Sequence, residues 1–493
     1  MRRQKQPTIT SRRGISRLQQ PRSCAEERSA YGNLVAGICV CILMLQRLFL
    51  LFLIAATMFC PALAQDRIAV VNVTVIDGTD RPPRTNATVI VLGEKIEEIA
   101  TAGRKPPVDA RIVDGTGKFL IPGLWNNDLH GPAYGDAKAS LLSLVSYGVT
   151  TARDMGAPLD DIVKLRAGTA SGMLVGPRLF IAGPLMEGPV PVQMPLIMDL
   201  FTEKQARDEV KSLKQQNVDY IEIDTTLTAE LYWAIAGEAK RQDLPLVGHI
   251  PPTISAWDIA KANQIDVEHL GGRFLNILVA CSTDEAYFDQ VLRRTHEDLL
   301  TSIKQKRPAN EPQFHAEFDQ RLLSTFSEIK AQRLYRLYAR NNIAQTPTLY
   351  VLKTLWETNK DSLKLTDSDM ASGKRIFAKD LEVVGAMKRA RVPILAGTDG
   401  PYSQGGAALH SELELLVQAG LTPHQAIQAA SRDAAKAMGV LNEVGTVEVG
   451  KTADLVLLDA DPMVNISNTR KISAVVLHGQ LFTESELSTI RSH

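Results

Sequence analysis

The chain has 493 residues, 45% of them hydrophobic, with 55 basic and 55 acidic side chains, which is ample to bury the core of one large domain or of two to three ordinary ones. This composition excludes a disordered chain or a fibre. Setting aside residues 1–64 removes nine basic and two acidic side chains and leaves 46 against 53, an acidic balance that speaks against a nucleic-acid partner.

Those first 64 residues combine a basic head, with Arg2, Arg3, Lys5, Arg12, Arg13 and Arg17, and an apolar run from Leu48 to Phe59 that leads to Ala62-Leu63-Ala64. A charged start, an apolar middle and a small-residue end are the grammar of a secretory signal. A start at Met44 fits better, because Arg47 then leads straight into the apolar run and cleavage exposes Gln65. The expectation is a periplasmic or secreted protein that meets a membrane only if this leader stays uncleaved. Of five cysteines only Cys281 lies beyond the leader, so no disulfide framework and no cysteine metal site is expected.

Residues 65–118 carry short β-rich runs, 68–76 and 87–92, separated by turn clusters such as Asp77-Gly78-Thr79-Asp80. A second β-rich stretch, 453–459 and 472–477, lies in the last part, 441–493. The two ends are expected to pair into one small β-sandwich. Between them, over 119–440, short apolar runs alternate with longer amphipathic stretches, the pattern of parallel βα units. Eight candidate strands (119–130, 150–155, 178–183, 220–224, 244–249, 266–269, 344–350 and 392–398) predict an α/β fold, a closed (β/α)₈ TIM barrel with its active site at the C-terminal strand ends. The stretch 273–342 is too long for a simple crossover, and its amphipathic runs 284–306 and 317–340 predict inserted helices, either inert or covering the barrel mouth. His296 and His315 fall in these helices and are expected to be solvated.

On that register polar residues gather at strand ends. Asp128 and His130 close the first strand, Glu222 lies on the fourth, His249 and His269 close the fifth and sixth, and Asp399 follows the eighth. The chain holds nine histidines, and three at one barrel rim with three carboxylates point to a metal site rather than to separate structural histidines.

The sequence resembles the amidohydrolase superfamily, within it the imidazolonepropionase-like and prolidase-like metal-dependent hydrolases. The resemblance spans nearly all of the chain beyond the leader. It is carried by VDGTGKFLIPGLW (113–125), SYGVTTARDMG (146–156), VGHIP (247–251), VEHLGG (267–272), PILAGTDG (393–400), LHSELELLVQAGLTPHQAIQAAS (409–431) and GTVEVGKTADLVLLDADP (445–462). It implies two metals held by a His-x-His on strand 1, a carbamylated lysine on strand 4, histidines on strands 5 and 6 and an aspartate on strand 8. His130, His249, His269 and Asp399 match that pattern, whereas LWNNDLHG (124–131) offers Asp128 in place of the first histidine and DYIEID offers Glu222 in place of the lysine.

Both replacements are carboxylates, legitimate ligands for zinc and better ones for harder ions. Glutamate, however, falls roughly 3 Å short of a carbamylated lysine, while metal–ligand distances tolerate only a few tenths of an ångström. A two-metal site shifted towards strand 4, a one-metal site and a metal-free relic therefore all stay open. The cofactor expected is one or two divalent ions, zinc first, then manganese or iron.

The main expectation is a secreted hydrolase that cleaves an amide, peptide or cyclic-amide C–N bond of a small, dipeptide-like substrate with activated water, Asp399 serving as base and then acid. A deaminase or lactonase on the same site is the alternative enzyme, and a catalytically silent barrel acting as a binding module is the alternative outside catalysis. Arg153 is a weak candidate for receiving a substrate carboxylate, with a salt bridge to a neighbouring carboxylate as its other reading; His410 is a weak substrate contact or a packing residue. A homo-oligomer is left open.

Overall fold

β1 (Arg67–Val75) is the first strand of the computed structural model, which describes residues 66–492 apart from 102, 132–134, 190–193, 273–274, 306–315 and 359–364. The predicted leader therefore lies outside the described residues, and so does His315. β1 pairs antiparallel with β2 (Arg84–Leu92), which pairs with β3 (Lys95–Ala100); β4 (Arg111–Asp114) and β5 (Phe119–Pro122) both run parallel to β1, at its first and last residues respectively.

The run read as one strand over 119–130 is two elements. Gly123 separates β5 from β6 (Leu124–Leu129), and a Cβ at Gly123 would collide with the side chain of Thr150. The chain can therefore leave the end sheet and enter the central fold within one residue.

β6 forms a parallel ladder with β7 (Val149–Asp154), which pairs with β8 (Arg178–Ile181). A second parallel ladder joins β10 (Ile197–Asp199), β9 (Leu185–Glu187), β11 (Ile221–Ile223) and β12 (Leu246–Gly248), and a third joins β13 (Asp266–Glu268) to β14 (Ala344–Thr346). Of these, β9 and β10 were not expected. Isolated backbone bonds link neighbouring segments: Asp219 N to Ile181 O at 2.8 Å, Ile265 N to Leu246 O at 2.8 Å, and a pair in which Gln345 N donates to Pro393 O and Leu395 N to Gln345 O, both at 2.9 Å. Residues 392–398, predicted as strand 8, form no extended ladder but bridge at Ile394 to Gln345. On their other side Asn127 N donates to Ala396 O, while Thr398 N and Asp399 N both donate to Asp128 O.

The C-terminal strands β15 (Leu455–Leu458), β16 (Ile472–Leu477) and β17 (Gln480–Thr483) return to the first sheet, β15 lying antiparallel to β5. The two ends thus build one eight-stranded sheet, in the order β17-β16-β15-β5-β1-β2-β3 with β4 beside β1. Alternate residues of its strands, among them Val70, Val89, Leu120, Leu455 and Val476, share one apolar core. Residues of opposite parity, Ile121, Val456, Leu458 and Val475, pack into the core of the central fold.

The insert forms helices Asn276–Cys281, Glu285–Gln305, Ala316–Ser324 and Glu328–Asn341, so the second predicted helix is broken near Phe326. Phe288, Leu292, Leu322 and Tyr335 bury in the main core. The insert is fastened to the loops that follow β11 and β12. There Tyr338 Oη donates to Ala256 O at 2.9 Å and Trp257 Nε1 donates to Glu285 Oε1 at 2.9 Å. His296 corrects the expectation of a solvated side chain: it is 2% exposed, with Nε2 bonded to Thr226 O at 2.9 Å.

Candidate metal centre

The site is assembled by the end of β6 and the segment that follows residue 396. Because the Asp128 carbonyl accepts from Thr398 N and Asp399 N, and His130 N donates to Gly400 O, the 398–400 backbone is clamped against the end of β6. The clamp leaves Asp399 in the left-handed region at φ +48°, a conformation that non-glycine residues seldom adopt and that must be held by surrounding contacts. Its carboxylate then lies beside two imidazoles: Oδ1 is 3.2 Å from His130 Nε2 and Oδ2 is 3.7 Å from His269 Nε2. Asp128 faces the same two rings, at 3.9 Å from His130 Nε2 and 3.7 Å from His269 Nε2. Neither Asp128 oxygen has a hydrogen-bond partner, although the residue is wholly buried.

His249 follows β12 and His269 follows β13, and their rings meet edge to face with centroids 4.8 Å apart. His249 Nδ1 is engaged by Asp224 Oδ1 at 2.8 Å and Thr225 Oγ1 at 2.7 Å. Two sets of side chains bring ligand atoms within 4.8 Å of one another: Asp128, His130 and Asp399 in one, His249, Glu268 and His269 in the other. Five of the six predicted ligands fall in these sets. Glu222 does not; it is buried on β11, hydrogen-bonded to the carboxyl of Glu268, and its Oε2 has no partner.

Glu268 was missed in the sequence. It stands directly before His269 in VEHLGG, and the available signal was the spacing of Asp266 and Glu268: two carboxylates two residues apart on a short buried strand share one face. Asp224 was overlooked as well, a strand-end carboxylate that holds the His249 ring.

The remaining candidates are placed elsewhere. Arg153 is wholly buried, and its Nη2 lies 2.8 Å from Asp266 Oδ2 and 3.2 Å from Glu268 Oε1, so its guanidinium balances the two carboxylates of β13. His410 is buried on helix Tyr402–Gln418, with Nδ1 2.9 Å from Thr469 Oγ1 and Nε2 3.1 Å from Tyr147 O; both ring nitrogens are taken by packing partners.

Protonation follows from crowding. Burial, then the charges of Glu268 and Asp399, push the Asp128 carboxyl well above the usual carboxylate range. Burial does the same to Glu222, and burial with the Glu222 charge does so to Glu268. Burial disfavours a charged His130, but the hydrogen bond to Asp399 and the neighbouring carboxylates outweigh it and raise the imidazole to about 9. Asp399 is also pushed up by burial, yet the imidazoles facing it hold it below the ordinary range.

A divalent cation fits this donor set. Buried carboxylates are tolerated when a cation or a proton meets them, and the Asp128 oxygens have no donor from the protein. Imidazole nitrogens mixed with carboxylate oxygens are the ligand chemistry of zinc and of harder first-row ions. Asp128, His130 and Asp399 would hold one ion, and His249, Glu268 and His269 would hold a second.

Parallel βα units with imidazoles and carboxylates gathered at their C-terminal strand ends place the chain among α/β proteins with a candidate metal site there. The chain belongs to the amidohydrolase family, which it matches over residues 119–482. It is similar to the imidazolonepropionase of Shewanella pealeana, 31% identical over 97 residues that make up 19% of this chain and 23% of that protein. It is also similar to the 5-methylthioadenosine/S-adenosylhomocysteine deaminase of Moorella thermoacetica, 35% identical over 92 residues, 17% of this chain and 22% of the relative. The chain thus spans less than a quarter of the length of these curated relatives. Among solved structures, a Xaa-Pro dipeptidase with bound methionine in the active site matches with a TM-score of 0.64 at 17% identity, over 85% of this chain and 100% of that one. The likeness extends the shared fold to almost the whole described chain.

Proposed function

We propose that the protein is an exported, metal-dependent hydrolase that cleaves a C–N bond in a small amide or dipeptide-like substrate, using a metal site in which carboxylates replace two family ligands. The observation that carries this reading is Asp128, whose carboxylate is buried without a protein donor and faced by His130, His269 and Asp399. Asp128 would ligate directly, while Glu222 would act through its bond to Glu268. Zinc suits the imidazoles best and manganese or iron the added carboxylates. The bonds that join successive ladders and return from residues 396–399 to β6 support a closed (β/α)₈ barrel over 119–440, with 65–118 and 441–493 as the second domain. The basic, apolar leader supports export.

The chemistry that a divalent cation supplies when bound is polarisation of a carbonyl and acidification of water. The chain's own groups account for the proton. Asp399, held in place by His130 and by the clamped backbone, accepts the proton of the attacking water and then donates it to the leaving nitrogen, so that C–O forms, C–N breaks, and an acid and an amine are released.

The test is a panel of Xaa-Pro dipeptides, other dipeptides, cyclic amides and lactones, assayed with chelator-treated protein before and after addition of zinc or manganese. The proposal expects C–N cleavage that is lost with chelator, restored by cation and reduced by at least about 100-fold in Asp399→Asn, a general acid–base contribution. Cleavage untouched by chelator, or lactone opening alone, would contradict it.

A further inference from the structure

His269 is held by a residue from a different part of the chain. Its backbone is left-handed, at φ +50°, as is that of Leu270 at φ +54°. Thr348, in the loop after β14, is also left-handed, at φ +47°, which is an outlier for a β-branched residue. The side chains of these two strained residues are joined by a hydrogen bond between His269 Nδ1 and Thr348 Oγ1.

The direction of this bond can be deduced. A threonine hydroxyl has one hydrogen. Pro347 O, a carbonyl that can only accept, lies 2.8 Å from Thr348 Oγ1, and a hydroxyl that gives its hydrogen there accepts from His269. The imidazole proton must then sit on Nδ1, and the lone pair sits on Nε2, the atom 3.7 Å from both Asp128 Oδ2 and Asp399 Oδ2. Thr348 is anchored in turn. Helix Leu349–Thr358 begins immediately after it, and Tyr350 N donates at 2.7 Å to Oε2 of Glu412, a residue wholly buried on helix Tyr402–Gln418.

We infer that Thr348, anchored through Glu412, is a positioning residue that locks His269 in the Nδ1–H tautomer and aims its Nε2 at the metal centre. The inference rests on the cation-site reading proposed above. It explains why strain is tolerated at both ends of one hydrogen bond: each backbone is bent so that a hydroxyl meets a ring nitrogen, and a buried glutamate fixes the start of the helix behind it.

The experiment compares full-length wild type with Thr348→Val, Thr348→Ser, Thr348→Gly and Glu412→Met. Imidazole ¹⁵N NMR of the chelator-treated proteins reads the His269 tautomer, with His269→Gln used for assignment, and competition against a chromophoric chelator reads zinc affinity. Wild type and Thr348→Ser should show a single Nδ1–H tautomer and equal zinc affinity. Thr348→Val and Glu412→Met should show mixed tautomers and an affinity lower by roughly 10- to 100-fold, the usual cost of losing an outer-shell partner. Thr348→Gly, which adopts φ +47° without strain, should behave like Thr348→Val if the hydroxyl is what matters. An unchanged tautomer and unchanged zinc affinity in folded Thr348→Val or Thr348→Gly would overturn the inference. Wild type that shows the single tautomer yet binds no zinc would overturn the cation-site reading and leave the tautomer lock standing.

Discussion

A carboxylate removed from water without a donor is among the costliest groups a fold can carry, and Asp128 is in that position with both oxygens. Replacing it removes a carboxyl that accepts no hydrogen bond from the protein, so Asp128→Ala should lower bound metal by at least about 100-fold in affinity, beyond the roughly 10- to 100-fold typical of outer-shell changes. Chelator competition checks this, and denaturant unfolding of the metal-free variant should reveal no loss of stability. Arg153 should behave in the opposite way. It is the cation paired with Asp266 and Glu268 in a dry interior, so Arg153→Met should destabilise by about 3–5 kcal/mol, measured as a shifted urea midpoint. A variant of wild-type stability with only a raised KM would mean that Arg153 meets substrate instead. The three histidines and two aspartates of the candidate site were legible because a polar residue at the end of an apolar run is a visible break in pattern. Glu268 was not, because it ends a three-residue strand, Asp266–Glu268, that has no apolar run for a carboxylate to interrupt, and its partner Arg153 lies 115 residues away.

At the scale of elements, tight backbone approach decides several positions. Gly248 at the end of β12 has φ +114°, and a Cβ there would strike the Ile223 carbonyl and come within 2.6 Å of Glu222 Oε1. Gly248→Ala should therefore disrupt the β11–β12 register and displace His249, lowering both thermal stability and metal content; retention of both would show that the strand end can yield. Helix Asp367–Arg389 carries a different load. Burial, and then the nearby Asp319 charge, push Asp380 up to about 8 from an ordinary value of 3.8. The folded state thus keeps this proton between about pH 4 and 8 while the unfolded chain has released it, so the contribution is full below about pH 4 and is lost as pH rises through about 8. Asp380→Asn should flatten that dependence and stabilise the protein at pH 8, on the order of a few kcal/mol, as read by urea midpoints at pH 5 and 8. Helix Glu285–Gln305 and the end strands were readable from periodicity. β9 and β10 were not, because three-residue strands beside Gly and Pro carry too little pattern, and the split at Gly123 was hidden by unbroken apolar character on both sides.

Over the whole molecule, residues 66–493 form one compact unit, and the amidohydrolase match spans 119–482, reaching from the central fold into the C-terminal strands of the end sheet. Pairing of the two chain ends was legible from their matched β-rich runs, whereas the ladder breaks were not, because they depend on one or two backbone bonds that no side-chain pattern records. If a cation completes the site, it binds the folded state and not the unfolded chain. A concentration 100 times its dissociation constant should then add about 2.7 kcal/mol of stability, seen as a higher Tm with zinc or manganese and a lower one with chelator. Metal content tests the central claim most directly: elemental analysis of purified protein, alongside Asp128→Ala. The account predicts one or two divalent ions per wild-type chain and a clear loss in the variant. Wild-type protein that holds no divalent ion, and takes up none when zinc or manganese is offered, would contradict it.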